Sequence, residues 1–325
     1  MSDDLKTPVE VATVIPTYNC ARYLPRAIES ALAQTYRNYK IFVIDDGSTD
    51  DTQAVIEPYR DRVTFVQQPH AGEAAARNHG VSMSSSRYVA FLDADDIWLP
   101  TKLERQIELL NSHPEVGLVC SDFLHGGVLH SAQAARCGSA PAGRHFERLV
   151  RNCFICAPAV VVRRQCLDDI GPFNESLHVS TDYNMWLRIA SRWCIAAVPE
   201  VLVHCYRTSG NLSATTSIED KQRNGIAAFE HVLSVSTGLS DHERRVLRRA
   251  IADRYHIFGS YLLLQGNQRA ARPMLAKAWR CRVLNWKAAV KLLASTLPPA
   301  GLRSLMWLWR NSIGGLRANT DRSSS

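Results

Sequence analysis

The strongest constraint on this chain is the alternation of apolar runs with helical patterns. Val11-Ala12-Thr13-Val14-Ile15-Pro16 is an apolar strand stopped by Pro16, and Tyr23 to Gln34 follows with Leu24, Ala27, Ile28, Ala31 and Leu32 at helical spacing. Apolar runs return at Lys40 to Ile44, Val63 to Gln67 and Tyr88 to Leu92, with helical patterns over Glu73 to Ser82 and Leu99 to Ser112. Strands without a polar face, alternating with helices, predict an α/β fold whose parallel sheet is covered on both sides. Ligands of such sheets bind beyond the carboxyl ends of the strands. Three of those ends carry polar clusters: Pro16-Thr17-Tyr18-Asn19, Asp45-Asp46-Gly47-Ser48 and Asp93-Ala94-Asp95-Asp96.

The third cluster places three acids within four positions, which is unfavourable unless something positive answers them. Two carboxylates one residue apart can offer oxygens to a hard divalent cation, Mg²⁺ or Mn²⁺, that takes its other ligands from water and a substrate's phosphates. The acids could equally cap the helix that follows, where negative charge favours the N-terminus.

The order of motifs carries a resemblance. VIPTYN at 14 to 19, IDDGSTDDT at 44 to 52, AGEAAARNHG at 71 to 80, FLDADDIWLPTKLERQ at 91 to 106, GPFNESL at 171 to 177 and TDYNMWLRIA at 181 to 190 resemble glycosyltransferase family 2 over roughly residues 9 to 213. The resemblance implies the GT-A fold, Rossmann-like, with a mixed, mainly parallel sheet and helices on both faces. It also implies an inverting enzyme that uses a nucleotide-sugar. On that basis Pro16, Thr17 and Tyr18 would border the nucleotide base, and Asp46 would accept a hydrogen bond from a uracil ring. Gly72, Arg77 and Asn78 would line the nucleotide pocket, Asp93 would hold the ribose with Ala94 beside it, and Asp95 would bind the metal, with Asp93 and Asp96 as alternatives. Trp98 and Leu103 are left as structural.

Inversion needs a base for the acceptor hydroxyl. Asp182 matches the family's acidic position at the start of a helix, although Thr181 stands where the family has a Glu. Asp182 is equally placed to cap that helix. After the last core strand the family carries Tyr-Arg-x-His; here Cys205-Tyr206-Arg207-Thr208 keeps the arginine and lacks the histidine, which leaves Arg207 to meet the diphosphate. His204 has the placement of a strand histidine. The Gln-x-x-Arg-Trp pattern of processive members is absent, so one sugar would be added per encounter. The lone Cys153-x-x-Cys156 has no second pair and predicts neither zinc nor redox work.

Charge is divided along the chain. Residues 1 to 218 hold 20 Lys/Arg against 24 Asp/Glu, whereas residues 219 to 325 hold 18 against 7. This division suggests a catalytic domain over 1 to 218, a basic α-helical region over 219 to 316, and a disordered tail from 317. Around Gln265-Gly266-Asn267 the pattern resembles one tetratricopeptide-like helix pair. Leu302, Leu305, Met306 and Trp309 share one helical face beside Arg303 and Arg310, the composition of an interfacial helix on an anionic bilayer, or of a helix buried in a contact. No apolar run approaches the length of a membrane span, and Met1-Ser2-Asp3-Asp4 does not open a secretory signal. Nine cysteines without regular spacing fit reduced thiols. The chain is expected in the cytoplasm, peripheral on the inner face of the membrane, with a UDP-sugar as donor and a glycan or glycolipid as acceptor. The basic region shows no nucleic-acid motif. The alternative reading is a protein of the same fold that binds a nucleotide-sugar, or another partner through its basic surface, without turnover.

Overall fold

The computed structural model describes residues 10–131, 142–206, 215–281 and 286–296. The chain divides into two compact units, at Arg244/Arg245.

In the first unit, β1 (Val11–Thr17), β2 (Tyr39–Asp45), β3 (Thr64–Gln67) and β4 (Tyr88–Phe91) pair in parallel. The chain runs β1 to β2 to β3 on one side, then crosses so that β4 pairs with the other edge of β1. Such a reversal of order opens a crevice at the carboxyl ends of the central strands. All of β1 is buried, as a strand covered on both faces requires.

The second half of the sheet is mixed. β9 (Val160–Arg163) lies antiparallel between β4 and β6 (Val116–His125). β10 (Cys194–Cys205) runs parallel to β6, and β5 (Ile97–Trp98) pairs antiparallel with β10. The short strands β7 (Val128–His130) and β8 (Ala142–Gly143) pair with β6 and β10. Strand β5 shortens the helix expected from Leu99. Leu99 N donates to Leu202 O at 2.9 Å, Pro100 interrupts, and the helix begins at Lys102.

Helices α1 (Leu24–Leu32), α2 (Thr52–Ile56), α3 (Glu73–Ser82) and α4 (Lys102–Ser112) connect these strands. α3 lies close on the sheet because Gly80 allows it: a Cβ there would meet Val14 Cγ1 at 2.4 Å. Three further helices, α5 (Phe146–Arg151), α6 (Arg164–Ile170) and α7 (Thr181–Ala190), precede β10. α8 (Ile218–Val235) follows it and packs on α7, with Asn184 Nδ2 donating to Ala228 O at 2.8 Å and Tyr183 edge-on to Phe229 at 5.3 Å. The change in charge at 218 therefore does not coincide with the division of the compact units.

α9 (Asp241–Leu264) leads into the second unit, which adds α10 (Gln268–Cys281) and α11 (Trp286–Ala294). α9 and α10 form the expected helix pair. Gly266 turns the chain at φ 78°, a left-handed conformation that glycine adopts without strain, and Asn267 N returns to Leu262 O at 2.9 Å. Gly259 faces Leu275 so closely that a Cβ would lie 2.8 Å from its Cγ. Phe258 and Leu262 on α9 and Leu275 and Ala278 on α10 are buried. The interfacial helix and the tail expected beyond residue 300 lie outside the described residues.

Candidate active site

Three polar clusters meet at the carboxyl edge of the sheet because β1, β2 and β4 are parallel and in register. Thr17 pairs with Asp45, Asp46 N donates to Thr17 O at 2.9 Å, and Leu92 N donates to Val14 O at 3.0 Å. The loops above are sewn together. Asn19, at φ 51°, takes Ser48 Oγ on its own N–H at 2.8 Å and accepts from Thr49 N at 2.8 Å, while Asp50 caps Ala21 N at 2.9 Å.

The adjacent acids Asp45 and Asp46 do different work. Asp45 accepts from Ser48 N and Gln67 Nε2, both at 2.9 Å, closing the turn and tying β2 to β3. Asp46 accepts from Gln68 Nε2 at 2.7 Å, Ala71 N at 3.0 Å and Gly72 N at 2.8 Å, and lies 2.8 Å from His70 Nδ1. The loop before α3 is thus hung from one carboxylate. Gly72, at φ 96°, sets the angle at which α3 begins. Tyr18, 45% exposed, stacks on His70 with centroids 4.3 Å apart and presents an aromatic face at the rim.

Arg77 is the centre of a second arrangement. Its side chain is buried, yet its terminal nitrogens reach three elements: Nη2 bonds Glu73 Oε1 at 2.6 Å and Asp93 Oδ1 at 2.8 Å, and Nη1 donates to Thr181 Oγ1 at 3.4 Å. The guanidinium lies over the Phe173 ring at 5.7 Å. Acids on three sides hold Arg77 more firmly protonated than usual. Asp182, beside Thr181 at the start of α7, has its carboxyl pushed above the ordinary range by burial, while Arg77 pulls it back. Its Oδ1 accepts from Tyr183 N at 2.7 Å. Burial raises Glu73 to about 7, with the charges of Asp93 and Asp182 adding to the rise against Arg77.

Asn78, next to Arg77, turns to the segment 171–177. Its Oδ1 accepts from Phe173 N at 2.8 Å, and its Nδ2 donates to Phe173 O at 3.0 Å and Glu175 Oε1 at 2.7 Å. From the other side Arg188 donates to Pro172 O at 2.7 Å and to Ile170 O. Phe173 is held between them, edge-on to Phe91 and Trp186.

In the aspartate triplet, Asp93 O accepts from Asp96 N at 3.0 Å, forming a tight turn, and buried Ala94 anchors it. Asp96 accepts from Tyr206 N at 2.9 Å. Its carboxyl is pushed up to about 8 by burial and then by the charges of Asp93 and Asp95. Among the described residues no group of three or more ligating side chains comes together. A cluster of carboxylates on one tight turn, with too few ligands to enclose an ion, fits a hard divalent cation completed by phosphate oxygens and water. Trp98 is buried with its Nε1 on Pro158 O at 2.8 Å, and Leu103 is buried in the core. His204 pairs with Ile97 across β10 and β5. Cys156 Sγ faces Cys205 Sγ at 3.9 Å, and Cys153 donates to Ile155 O at 3.3 Å. Arg207 lies outside the described residues.

Sequence reasoning brought Pro16 to Tyr18, Asp46, Gly72, Arg77, Asp93 to Asp96 and Asp182 to one edge. It missed Gln68, His70, Glu73, Phe173 and Thr181. A signal existed for Glu73, four residues before Arg77 on one helix face.

Residues 13–171 match the family described as Glycosyl transferase family 2. The UDP-Glc:alpha-D-GlcNAc-diphosphoundecaprenol beta-1,3-glucosyltransferase WfaP of Escherichia coli is 31% identical over 213 residues, covering 63% of this chain and 80% of that protein. Two uncharacterised Rickettsia glycosyltransferases are 30% and 32% identical, and the aligned part spans 65% and 59% of their length. Among solved structures, S. aureus TarS 1-349 in complex with UDP-GlcNAc superposes with a TM-score of 0.70 at 17% identity, covering 93% of this chain and 92% of that one. The mannosyltransferase PcManGT of Pyrobaculum calidifontis, in complex with GDP-Man and Mn2+, superposes at 0.55 with 19% identity, covering 95% and 82%. The shared α/β architecture is the GT-A fold, and the chain belongs to glycosyltransferase family 2.

Proposed function

We propose that this chain is an inverting glycosyltransferase that moves a sugar from a nucleotide-sugar, a UDP-sugar above others, to a hydroxyl of a lipid-linked or cell-surface glycan precursor. The observation that carries the reading is the Arg77 cluster. It joins Asp93, from the end of β4, to the start of α7, where Asp182 stands. This contact supports a reading in which the donor site and the base would share one edge of the sheet. WfaP is named for a UDP-Glc donor and TarS 1-349 is solved in complex with UDP-GlcNAc, which supports the donor class.

In this reading Tyr18 offers its face to the base, and the loop hung from Asp46 closes beside it, with Pro16, Thr17 and Gly72 forming the wall. Asp93 and Ala94 border the ribose. Arg77 and Asn78 shape the pocket from behind, through Asp93 and the 171–177 segment. Asp95, with Asp93 or Asp96, would hold Mg²⁺ or Mn²⁺, which when bound neutralises charge on the departing diphosphate; Arg207 would add a cation there. The acceptor oxygen forms its bond to the anomeric carbon as the bond to the diphosphate breaks. Its proton passes to the Asp182 carboxylate, and attack from the face opposite the leaving group inverts the centre. Burial suits Asp182 to this task, because a carboxylate raised above its usual range is the stronger base.

The test is transfer from a panel of UDP-, GDP- and dTDP-sugars by the full chain, with and without EDTA, alongside Asp182→Asn. Transfer is expected to need the cation and to fall about 10²–10⁴-fold in Asp182→Asn, the usual worth of a general base, with donor affinity kept. Asparagine caps helices as well as aspartate does. Near-normal turnover by the variant would therefore refute the base and leave Asp182 a cap.

A further inference from the structure

Glu73 is the one acid of the Arg77 cluster without a part in the proposed chemistry. It stands in the first turn of α3, fixed by Gly72, whose own N–H is bonded to Asp46. Its Oε1 takes Arg77 Nη2 at 2.6 Å, the same nitrogen that bonds Asp93 at 2.8 Å. Charge balance does not ask for it. Arg77 already has Asp93, and a third carboxylate beside Asp182 leaves one cation among three acids; burial raises Glu73 to about 7, and the charges of Asp93 and Asp182 add to the rise.

The hydrogen bonds of Arg77 show what the extra acid changes. They go to Glu73, Asp93 and Thr181, and among the described residues none goes to Asp182. Arg77 is nevertheless near enough to be the largest influence pulling Asp182 down. A base paired directly to a guanidinium would be a poor base, because the pair favours its ionised form and resists the incoming proton. Something must keep the guanidinium turned away.

We propose that Glu73 is a positioning residue for the base: by sharing Nη2 of Arg77 with Asp93 it directs the guanidinium toward β4 and Thr181, and leaves Asp182 without a cationic hydrogen bond. The proposal rests on Asp182 being the base. The charged groups facing Asp182 are Arg77 and Glu73 on α3 and Asp93 after β4. On α8, packed against the same helix, His231 meets Asn184 at 3.1 Å.

The experiment is a ¹³C-carboxyl NMR titration of the full chain labelled at aspartate, with the Asp182 resonance assigned by its loss in Asp182→Asn. Glu73→Gln removes the charge but keeps an acceptor for Nη2; Glu73→Ala removes both. The Asp182 midpoint should fall in both variants, and fall further in Glu73→Ala, where Nη2 is free to swing. Turnover should follow the same order, with donor KM within about twofold and kcat reduced by about tenfold in Glu73→Ala, since a weaker base transfers more slowly. The acid limb of kcat should move to lower pH. Equal midpoints in both variants and the parent would overturn the proposal, as would equal falls in the two variants, which charge alone explains. A rise in donor KM with kcat unchanged would also overturn it, by making Glu73 a donor contact. Should Glu73→Ala not fold, Glu73→Leu, which likewise removes both the charge and the acceptor, takes its place in the comparison with Glu73→Gln. The titration needs no turnover, so active Asp182→Asn would sink the base reading while the midpoints still report on Glu73.

Discussion

Lys102 shows how a single residue can work against the fold that holds it. Fully buried, it places Nζ over the Trp98 ring at 4.1 Å and donates to Val160 O at 3.1 Å, and among the described residues no carboxylate forms an ion pair with it. Burial holds the ammonium well below the ordinary 10.5. Between that depressed value and 10.5 the unfolded chain binds the extra proton, so stability contributed here rises with pH and is lowest where the folded state must bury the charge. Methionine has a similar length and no charge. Lys102→Met should raise the melting temperature, more at pH 6 than at pH 9.5, each pKa unit removed being worth about 1.4 kcal/mol. Calorimetry at the two pH values checks this. A lower melting temperature at both would mean that the bond to Val160 O and the Trp98 contact outweigh burial. Trp98 was legible in the sequence as a structural residue, but the lysine's burial was not. Periodicity places Lys102 on a helix without saying that its neighbours are Trp98 and Val160.

Segment 171–177 depends on the elements beside it. It is clamped by Asn78 of α3 and Arg188 of α7, and through Phe173 it supports Arg77 from below. Asn78→Asp keeps the shape but replaces the amide nitrogen, which donates both bonds, with an oxygen and sets a carboxylate against Glu175. The variant should be destabilised by about 1–3 kcal/mol, the cost of leaving buried partners unsatisfied, with transfer falling as the segment loosens. Urea unfolding measures the first effect and turnover per folded molecule the second. An unchanged midpoint would show that Arg188 alone suffices. The motifs AGEAAARNHG and GPFNESL were both recognisable in sequence. That one pins the other was not, since 95 residues separate Asn78 from Phe173.

Across the whole molecule, the first 218 residues are net acidic, and the last 107 carry the positive excess. Under the proposed function, that division would let the basic part of the chain meet an anionic surface while the acidic part handles a cation and a diphosphate. The full chain should float with vesicles containing phosphatidylglycerol and not with pure phosphatidylcholine. It should be released near 1 M salt, where the Debye length is about 3 Å. Deleting residues 298–325 should weaken flotation if Trp307, Trp309 and their arginines lie on the bilayer. Equal flotation of both chains would assign the attraction elsewhere, to the basic helices that precede them or to no interfacial helix at all.

The sequence by itself determined β1 to β4, the helices α1 and α3 and the edge at which the acids gather. Each of those rests on local apolar runs and on the rule that parallel strands expose their carboxyl ends together. It also located the helix pair at Gly266, where a left-handed residue is needed. Tertiary structure alone decided that β9 inserts antiparallel between β4 and β6, that α8 packs on α7, and that Glu73, Asp93 and Thr181 share one guanidinium. The physical reason is range. A hydrophobic period records which face of an element is buried, whereas the bond from Arg77 to Thr181 spans 104 residues and exists only once the sheet has brought α3 and α7 to the same edge.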